Sequence, residues 1–244
     1  MPEFQLEKLL SENSYPGRGI VLGRSQNGKN ALIAYFIMGR SVNSRNRVFE
    51  AFDGGMRTKA YDESKVVDPS LIIYNPYLRA DKDGLHADIV TNGNQTDTIY
   101  DFVMEDPANV RAFEDALATR TFEPDAPNYT PRISGIVRYK EDGSFNYSLS
   151  ILKSNGTPDV CRRFCFDYEP EAGVGHFIHT YRCDGNPIPS FKGEPEEVAL
   201  PDTAEELARL IWDNLNEDNK VSLFVRTVPL AGGRPTDIII NKNV

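Results

Sequence analysis

The chain has 244 residues, with 27 lysines and arginines against 36 aspartates and glutamates and a net charge of −9. That length, with 40 % hydrophobic residues, suffices to bury a full core in one large domain or two small ones. The acidic balance excludes a protein that coats nucleic acid or anionic membrane through bulk charge, but it leaves room for a local basic pocket.

The opening MPEFQLEKLL carries Glu3 and Glu7 and no basic stretch ahead of an apolar one, so no secretory signal is expected. The longest apolar run, Ala31 to Met38, is eight residues and too short to span a bilayer. Three cysteines, Cys161, Cys165 and Cys183, are an odd count that fits reduced thiols. A cytoplasmic location follows as the expectation.

Strands are expected over 19–24 and 29–39, separated by Gln26-Asn27-Gly28, because Asn-Gly is a strong hairpin signal. Residues 23–30 read GRSQNGKN, close to the phosphate-loop pattern GxxxxGK[ST]. Asn30 replaces the hydroxyl residue, and the segment joins two strands instead of opening a helix, so a plain turn is expected. Further strands are expected over 71–78 and 85–90, the second ending in Asn92-Gly93. Phe145, Tyr147, Leu149 and Ile151 alternate with polar residues, as on a half-buried strand. Strands over 163–168, 175–181, 221–228 and 237–240 complete the set.

Helices are expected in two regions. Asp106-Pro107 reads as a cap and first helical residue, followed by Val110, Phe113 and Leu117 on one face, with a shorter helix before it starting near Thr96-Asp97. Another starts at Asp202-Thr203, where Thr203 and Glu206 are spaced as a capping box and Leu207, Leu210, Ile211 and Leu215 share a face. This order lacks a βαβ alternation and favours an α+β layered sandwich over a doubly wound sheet. No flexible linker is evident, so a single domain over 1–244 is expected.

Histidines and cysteines offer little for a metal. His176 and His179 on one strand point to opposite faces, and Cys161 and Cys165 would stand roughly 13 Å apart at strand rise. No metal and no cofactor are expected. The segment MGRSVNSRNR, residues 38–47, stands out instead. It places Arg40, Arg45 and Arg47 within eight residues, among Ser41, Asn43, Ser44 and Asn46, with Arg57 and Lys59 soon after. Guanidinium groups match phosphate or carboxylate through paired donors, so in an acidic chain this island points to an anion site. TNGNQTDTI, residues 91–99, combines a tight turn with a helix start, where Thr96 or Asp97 would cap. TPRI, residues 130–133, puts Arg132 at the entrance of a strand.

In order along the chain, GRG near the N-terminus, GRSVNSRNR, YNPYLR (74–79), TNGNQTDTI, FEPDAPNYTPRI (122–133) and HTY (179–181) resemble the archaeal-type inosine monophosphate cyclohydrolases. The resemblance covers residues from about Tyr15 to Tyr181, and the segment at 185–197 has no counterpart in it. It implies a four-layer αββα sandwich similar to the N-terminal-nucleophile hydrolases. It also implies closure of 5-formamidoimidazole-4-carboxamide ribotide to inosine monophosphate with loss of water, in purine biosynthesis. The true hydrolases of that fold use an N-terminal Cys, Ser or Thr, whereas this chain opens Met1-Pro2, which counts against an amidohydrolase. A purine-nucleotide-binding protein without turnover is the other alternative.

Ring closure requires the two groups held in contact, an oxyanion stabilised and protons moved from nitrogen to oxygen. Arg40 and Arg45 are therefore expected at the phosphate, with Ser41 and Asn46 beside them. Arg47 is expected as the electrophilic contact, Tyr77 as a proton donor and Glu123 as the proton shuttle. Asn92, Gly93, Asp97 and Thr98 would contact base or ribose, and Arg132, Thr180 and Tyr181 would line the same cavity. The expected partner is a purine nucleotide monophosphate, with neither nucleic acid nor membrane, and a homo-oligomer is compatible with the sequence.

Overall fold

The computed structural model describes residues 2–66 and 73–243. Strands β1 (Arg18–Arg24) and β2 (Asn30–Met38) form the expected hairpin, with Gly28 at φ +71° in its turn. The Asn27 N–H donates to the Asp202 carboxylate at 2.6 Å, so an amide that a phosphate loop would offer to its ligand already holds a carboxylate.

The eight-residue apolar run has its explanation in β2. Leu32, Ala34, Phe36 and Met38 face a core shared with helices α1 (Leu6–Glu12) and α5 (Ala204–Asn214). Ile33, Tyr35 and Ile37 face the opposite way, into a core between two sheets. A strand covered on both faces reads as continuous apolar sequence, and each such side chain contributes roughly 1.5–3 kcal/mol by burial.

The first sheet runs in the order β11 (Glu196–Ala199), β10 (Val174–His179), β1, β2, β12 (Lys220–Pro229), β13 (Thr236–Asn241). The second runs in chain order: β3 (Arg47–Phe52), β4 (Gly55–Ala60), β5 (Tyr77–Lys82), β6 (Leu85–Thr91), β7 (Arg132–Tyr139), β8 (Phe145–Ser154), β9 (Cys161–Tyr168). All pairings between these strands are antiparallel. Helices α3 (Gln95–Glu105) and α4 (Ala112–Ala118) cover the outer face of the second sheet through Ile99, Val103, Phe113 and Leu117. The layers are thus helix, sheet, sheet, helix.

The alternation in β8 holds, with Phe145, Tyr147, Leu149 and Ile151 all in the core between the sheets. The capping box of α5 also forms: Glu206 N–H donates to Thr203 Oγ1 at 3.2 Å, and Thr203 N–H donates to Glu206 Oε2 at 3.2 Å. Other expectations need correction. Asp106 ends α3, its N–H donating to Phe102 O, and α4 begins only at Ala112, which leaves Val110 exposed. α3 is the longer of the two helices and starts at Gln95, so Thr96 and Asp97 lie inside its first turn. Thr96 Oγ1 bonds back to Gly93 O at 3.1 Å. The strand expected over 71–78 falls partly outside the described residues, and β5 starts at Tyr77. Strands β3, β4 and β11 and helices α1 and α2 (Val42–Arg45) are additions to the expected elements.

His176 and His179 do point to opposite faces of β10. The first bonds Tyr147 Oη through Nδ1 at 2.7 Å in the core between the sheets, and the second stacks on Phe177 and bonds Tyr181 O at 2.8 Å. Among the described residues no helix is long and apolar enough to cross a membrane.

The two sheets meet where β13 passes β3. Asn241 receives the Phe49 N–H on Oδ1 at 2.7 Å and donates Nδ2 to Phe49 O at 3.0 Å. Asn241→Ala removes both bonds and should lower stability by about 1–3 kcal/mol. Urea unfolding of the variant checks this; an unchanged midpoint and slope would show that the clip is dispensable.

Candidate active site

At one end of the sandwich the start of β1, the loop after β2, the turn after β6, the start of β7 and the end of β10 converge. They enclose a cavity of about 290 Å³. Its cationic wall is Arg18 and Arg40, and Tyr15 and Tyr181 stack against each other beside them with ring centroids 5.8 Å apart. The far wall holds Asn92, Glu123, Asp125, Asn128 and Thr130.

Arg18 lines the cavity although composition and spacing did not single it out; its GRG motif was visible. Gly17 has φ +82°, and a Cβ there would lie 2.3 Å from Thr180 Oγ1 and 2.4 Å from the Tyr181 ring. Only glycine lets the chain approach this closely and enter β1 at Arg18. Thr180 is fully buried, accepting the Arg18 N–H on Oγ1 at 3.1 Å and donating to Pro16 O at 3.1 Å. It therefore positions Arg18 instead of facing the cavity.

Behind Arg18 lies Arg47, fully buried at the first position of β3. Its Nε donates to Ser44 O at 2.9 Å and its Nη2 to Met38 O at 3.3 Å, and Nη1 has no hydrogen-bond partner. Arg18 Nε is likewise buried and unpartnered. Neither guanidinium has a carboxylate within 4.0 Å among the described residues. Burial and the adjacent Arg18 charge push the Arg47 pKa down. Burial also works against the Arg18 charge, but the phenols of Tyr181, Tyr15, Tyr74 and Tyr35 around it hold its pKa above the ordinary arginine value. Tyr35 and Tyr74 share a hydrogen bond of 2.7 Å in this cluster. An unpaired buried charge such as Arg47 costs several kcal/mol, and the partly exposed Arg18 beside it adds a like charge, so together they make a strong demand for an anion.

The carboxyl of Glu123 sits opposite. Its Oε2 accepts from Arg132 Nη2 at 3.1 Å, and burial raises its pKa above the ordinary glutamate value against the pull of Arg132 and Arg18. Arg132 is itself held by Gln95 Oε1 at 2.6 Å and Asn94 Oδ1 at 3.0 Å, with Nε unpartnered. Gly93 is needed here for space, since a Cβ would lie 2.5 Å from Arg132 Nη1 and 3.0 Å from Glu123 Oε1. Asn92 fastens the turn to β7, donating to Pro131 O at 2.8 Å and accepting the Ile133 N–H at 2.9 Å.

Arg40 stands at the mouth, 5.0 Å above the Tyr15 ring and paired with Asp184, with Nη1 also donating to Gly185 O at 3.0 Å. Ser41 caps α2 reciprocally with Ser44, and both line the cavity. The segment after β10 therefore forms part of the rim, and Ile188 N–H donates to Asn128 Oδ1 at 3.0 Å.

Several expected residues fall elsewhere. Arg45 turns away, donating to Gly39 O at 2.9 Å and Asn219 Oδ1 at 3.1 Å, and borders a different cavity with Lys220 and Lys242. Asn46 is tied to Asp62 backbone atoms at 2.8 Å on each side. Arg57 and Lys59 alternate outward on β4 and pair with Glu50. Tyr77 faces the core between the sheets, where its hydroxyl donates to Asp88 at 2.5 Å and its ring lies 5.2 Å from Arg226. Asp97 accepts from Asn75 at 2.9 Å, and Thr98 is half-buried on α3; neither lines the cavity.

If Arg18 adds to the unpaired charge of buried Arg47, Arg18→Met should raise the melting temperature in ligand-free buffer by removing a like-charge neighbour of Arg47. Thermal melts of the variant and the unaltered chain check this; an unchanged or lower melting temperature would show that the two charges do not oppose folding.

No curated protein matches the chain. A family model described as "IMP cyclohydrolase-like protein" matches residues 15–232, which include every residue named on the cavity wall. The chain belongs to the IMP cyclohydrolase-like protein family.

Proposed function

We propose that this cavity binds 5-formamidoimidazole-4-carboxamide ribotide and closes its second ring to inosine monophosphate in purine biosynthesis. The observation that carries the reading is that one cavity holds Arg18, whose buried Nε has no partner and which interacts with the unpaired charge of buried Arg47, together with Glu123, a carboxyl whose pKa burial raises. Membership of the family supports the activity class. The helix–sheet–sheet–helix layering supports an architecture like that of the N-terminal-nucleophile hydrolases, and we read the whole chain as one such domain.

In this reading Arg40, with Ser41, Asn43 and Ser44 around it, takes the phosphate at the mouth, and Asp184 is displaced as its counter-ion. The substrate folds so that the carboxamide nitrogen meets the formyl carbon. As the nitrogen attacks, charge grows on the formyl oxygen, and Arg18 on the cavity wall stabilises it, with the charge of buried Arg47 adding to the field from behind. The attacking nitrogen gives up one proton and the formamido nitrogen a second. Both reach the oxygen, which departs as water as the C=N bond forms. Glu123, held by Arg132, relays protons between nitrogen and oxygen. Tyr74, not Tyr77, is the phenol of the YNPY segment beside the arginines. No covalent enzyme intermediate is needed.

The rise in purine absorbance when the purified chain meets the formylated ribotide tests the reading. Binding of inosine monophosphate without turnover would favour a nucleotide-binding protein. Arg47→Ala should abolish turnover, while Arg40→Ala should chiefly raise KM. Glu123→Gln should lower kcat by about 10²–10⁴. Because burial raises the Glu123 pKa, the kcat/KM profile should carry a limb above the ordinary glutamate range that vanishes in Glu123→Gln. Full activity in that variant would remove Glu123 from the mechanism.

A further inference from the structure

The seven-stranded sheet ends in an uncovered strand. β9 pairs with β8 along one edge and with no strand along the other among the described residues. Apart from that pairing, no backbone hydrogen bond reaches residues 162–168 among the described residues. Arg162, Arg163, Phe164, Cys165 and Asp167 are exposed, Phe164 by 42 %. A long edge with free amides and carbonyls and an exposed aromatic ring is a template for another strand.

We propose that a second copy of this chain covers this edge, with β9 pairing antiparallel to its counterpart about a twofold axis that passes through Cys165 perpendicular to the sheet. The sequence of the strand, CRRFCFDY, carries the argument. A perpendicular twofold keeps every side chain on its own face, so directly opposed residues must both be odd-numbered or both even-numbered. Centring on Cys165 sets Arg163 against Asp167 twice, Phe164 against Phe166 twice, and Cys165 against itself. Centring on Arg163 or Asp167 opposes like charges. Centring on Phe164 opposes Arg163 to Cys165 and Cys161 to Asp167, so no charge is matched. Centring on Phe166 opposes Cys165 to Asp167 and reaches an acid only at Glu169, beyond the end of the strand. Opposed charges and aromatic pairs are what stabilise neighbouring strands, and one register supplies both.

The charges are available for this use. Among the described residues neither Arg162 nor Arg163 has an acid within 4.0 Å, and Arg163 Nη2 rests on Arg120 O at 2.7 Å. Asp167 accepts from Ser148 Oγ at 2.6 Å and stands within 4.8 Å of a Glu114 carboxylate oxygen and the Cys165 sulfur. The copy's Arg163 would face this acidic pair, and Arg163 here would face the copy's. The edge carries one charge of each sign on one face, in self-complementary order.

Sedimentation equilibrium of the full chain tests the pairing. The unaltered chain should be a dimer. Arg163→Asp alone and Asp167→Arg alone should each raise the dimer dissociation constant at least tenfold, and the double variant should restore association. Independently, with Cys161→Ser and Cys183→Ser in place, mild oxidation should yield a covalent dimer through Cys165 on a non-reducing gel. A monomeric unaltered chain overturns the proposal. So does a dimer indifferent to both single reversals, a double variant that stays dissociated, or a Cys165 that never cross-links.

Discussion

The site depends on an arrangement that is unfavourable by itself: a fully buried guanidinium, Arg47, next to the partly buried Arg18, neither with a carboxylate within 4.0 Å among the described residues. The hydrogen-bond partners of Arg47 are the Ser44 and Met38 backbone carbonyls, which are uncharged, so the positive potential is left for a ligand. Such an arrangement persists only where the surrounding packing over-determines it. Here β2, buried on both faces, and the core between the sheets supply that packing. Such a local positive potential exists although the chain as a whole is strongly acidic, and it supports the small anionic substrate proposed above.

Antiparallel pairing then decides which segments meet. Arg18 pairs with Ile37 and Gly19 with His179, so the start of β1, the end of β2 and the end of β10 lie at one end of their sheet. Thr91 pairs with Ser134 in the other sheet, which brings the end of β6 and the start of β7 to the site. Gly17, at positive φ, is where the backbone comes too close for a side chain, and a Cβ at Gly93 would displace the Arg132–Glu123 pair. Loops and turns supply nearly all of the lining, and the strand pairings fix where those loops meet.

Much of the fold was legible from local pattern. The continuous apolar run of β2, the alternation in β8 and the capping box at Thr203 and Glu206 each follow from one strong physical rule. β3 and β4 were missed because they are short and β4 marks its buried face with Thr58 and Ala60 beside Met56, so the inward–outward alternation that the structure shows is carried by few strongly apolar residues. The Asp106-Pro107 signal was real as punctuation but ambiguous in sense, since the same residues that open one helix can close the one before it.

By itself the sequence determined that an acidic chain carries a dense basic island after an apolar strand, and that the island and its neighbouring motifs are those of a nucleotide cyclohydrolase family. Only the tertiary structure decided how that island is divided. The short α2 turn leaves Arg40 at the cavity mouth, sends Arg45 to the Gly39 and Asn219 side, and delivers Arg47 into the interior, while strand alternation turns Arg57 and Lys59 outward. It also exchanged Tyr77 for Tyr74 and added Arg18 from a distant strand. Spacing along a chain fixes which residues are near in sequence, but the direction of each side chain comes from backbone dihedrals and partners that the packed sheets alone supply.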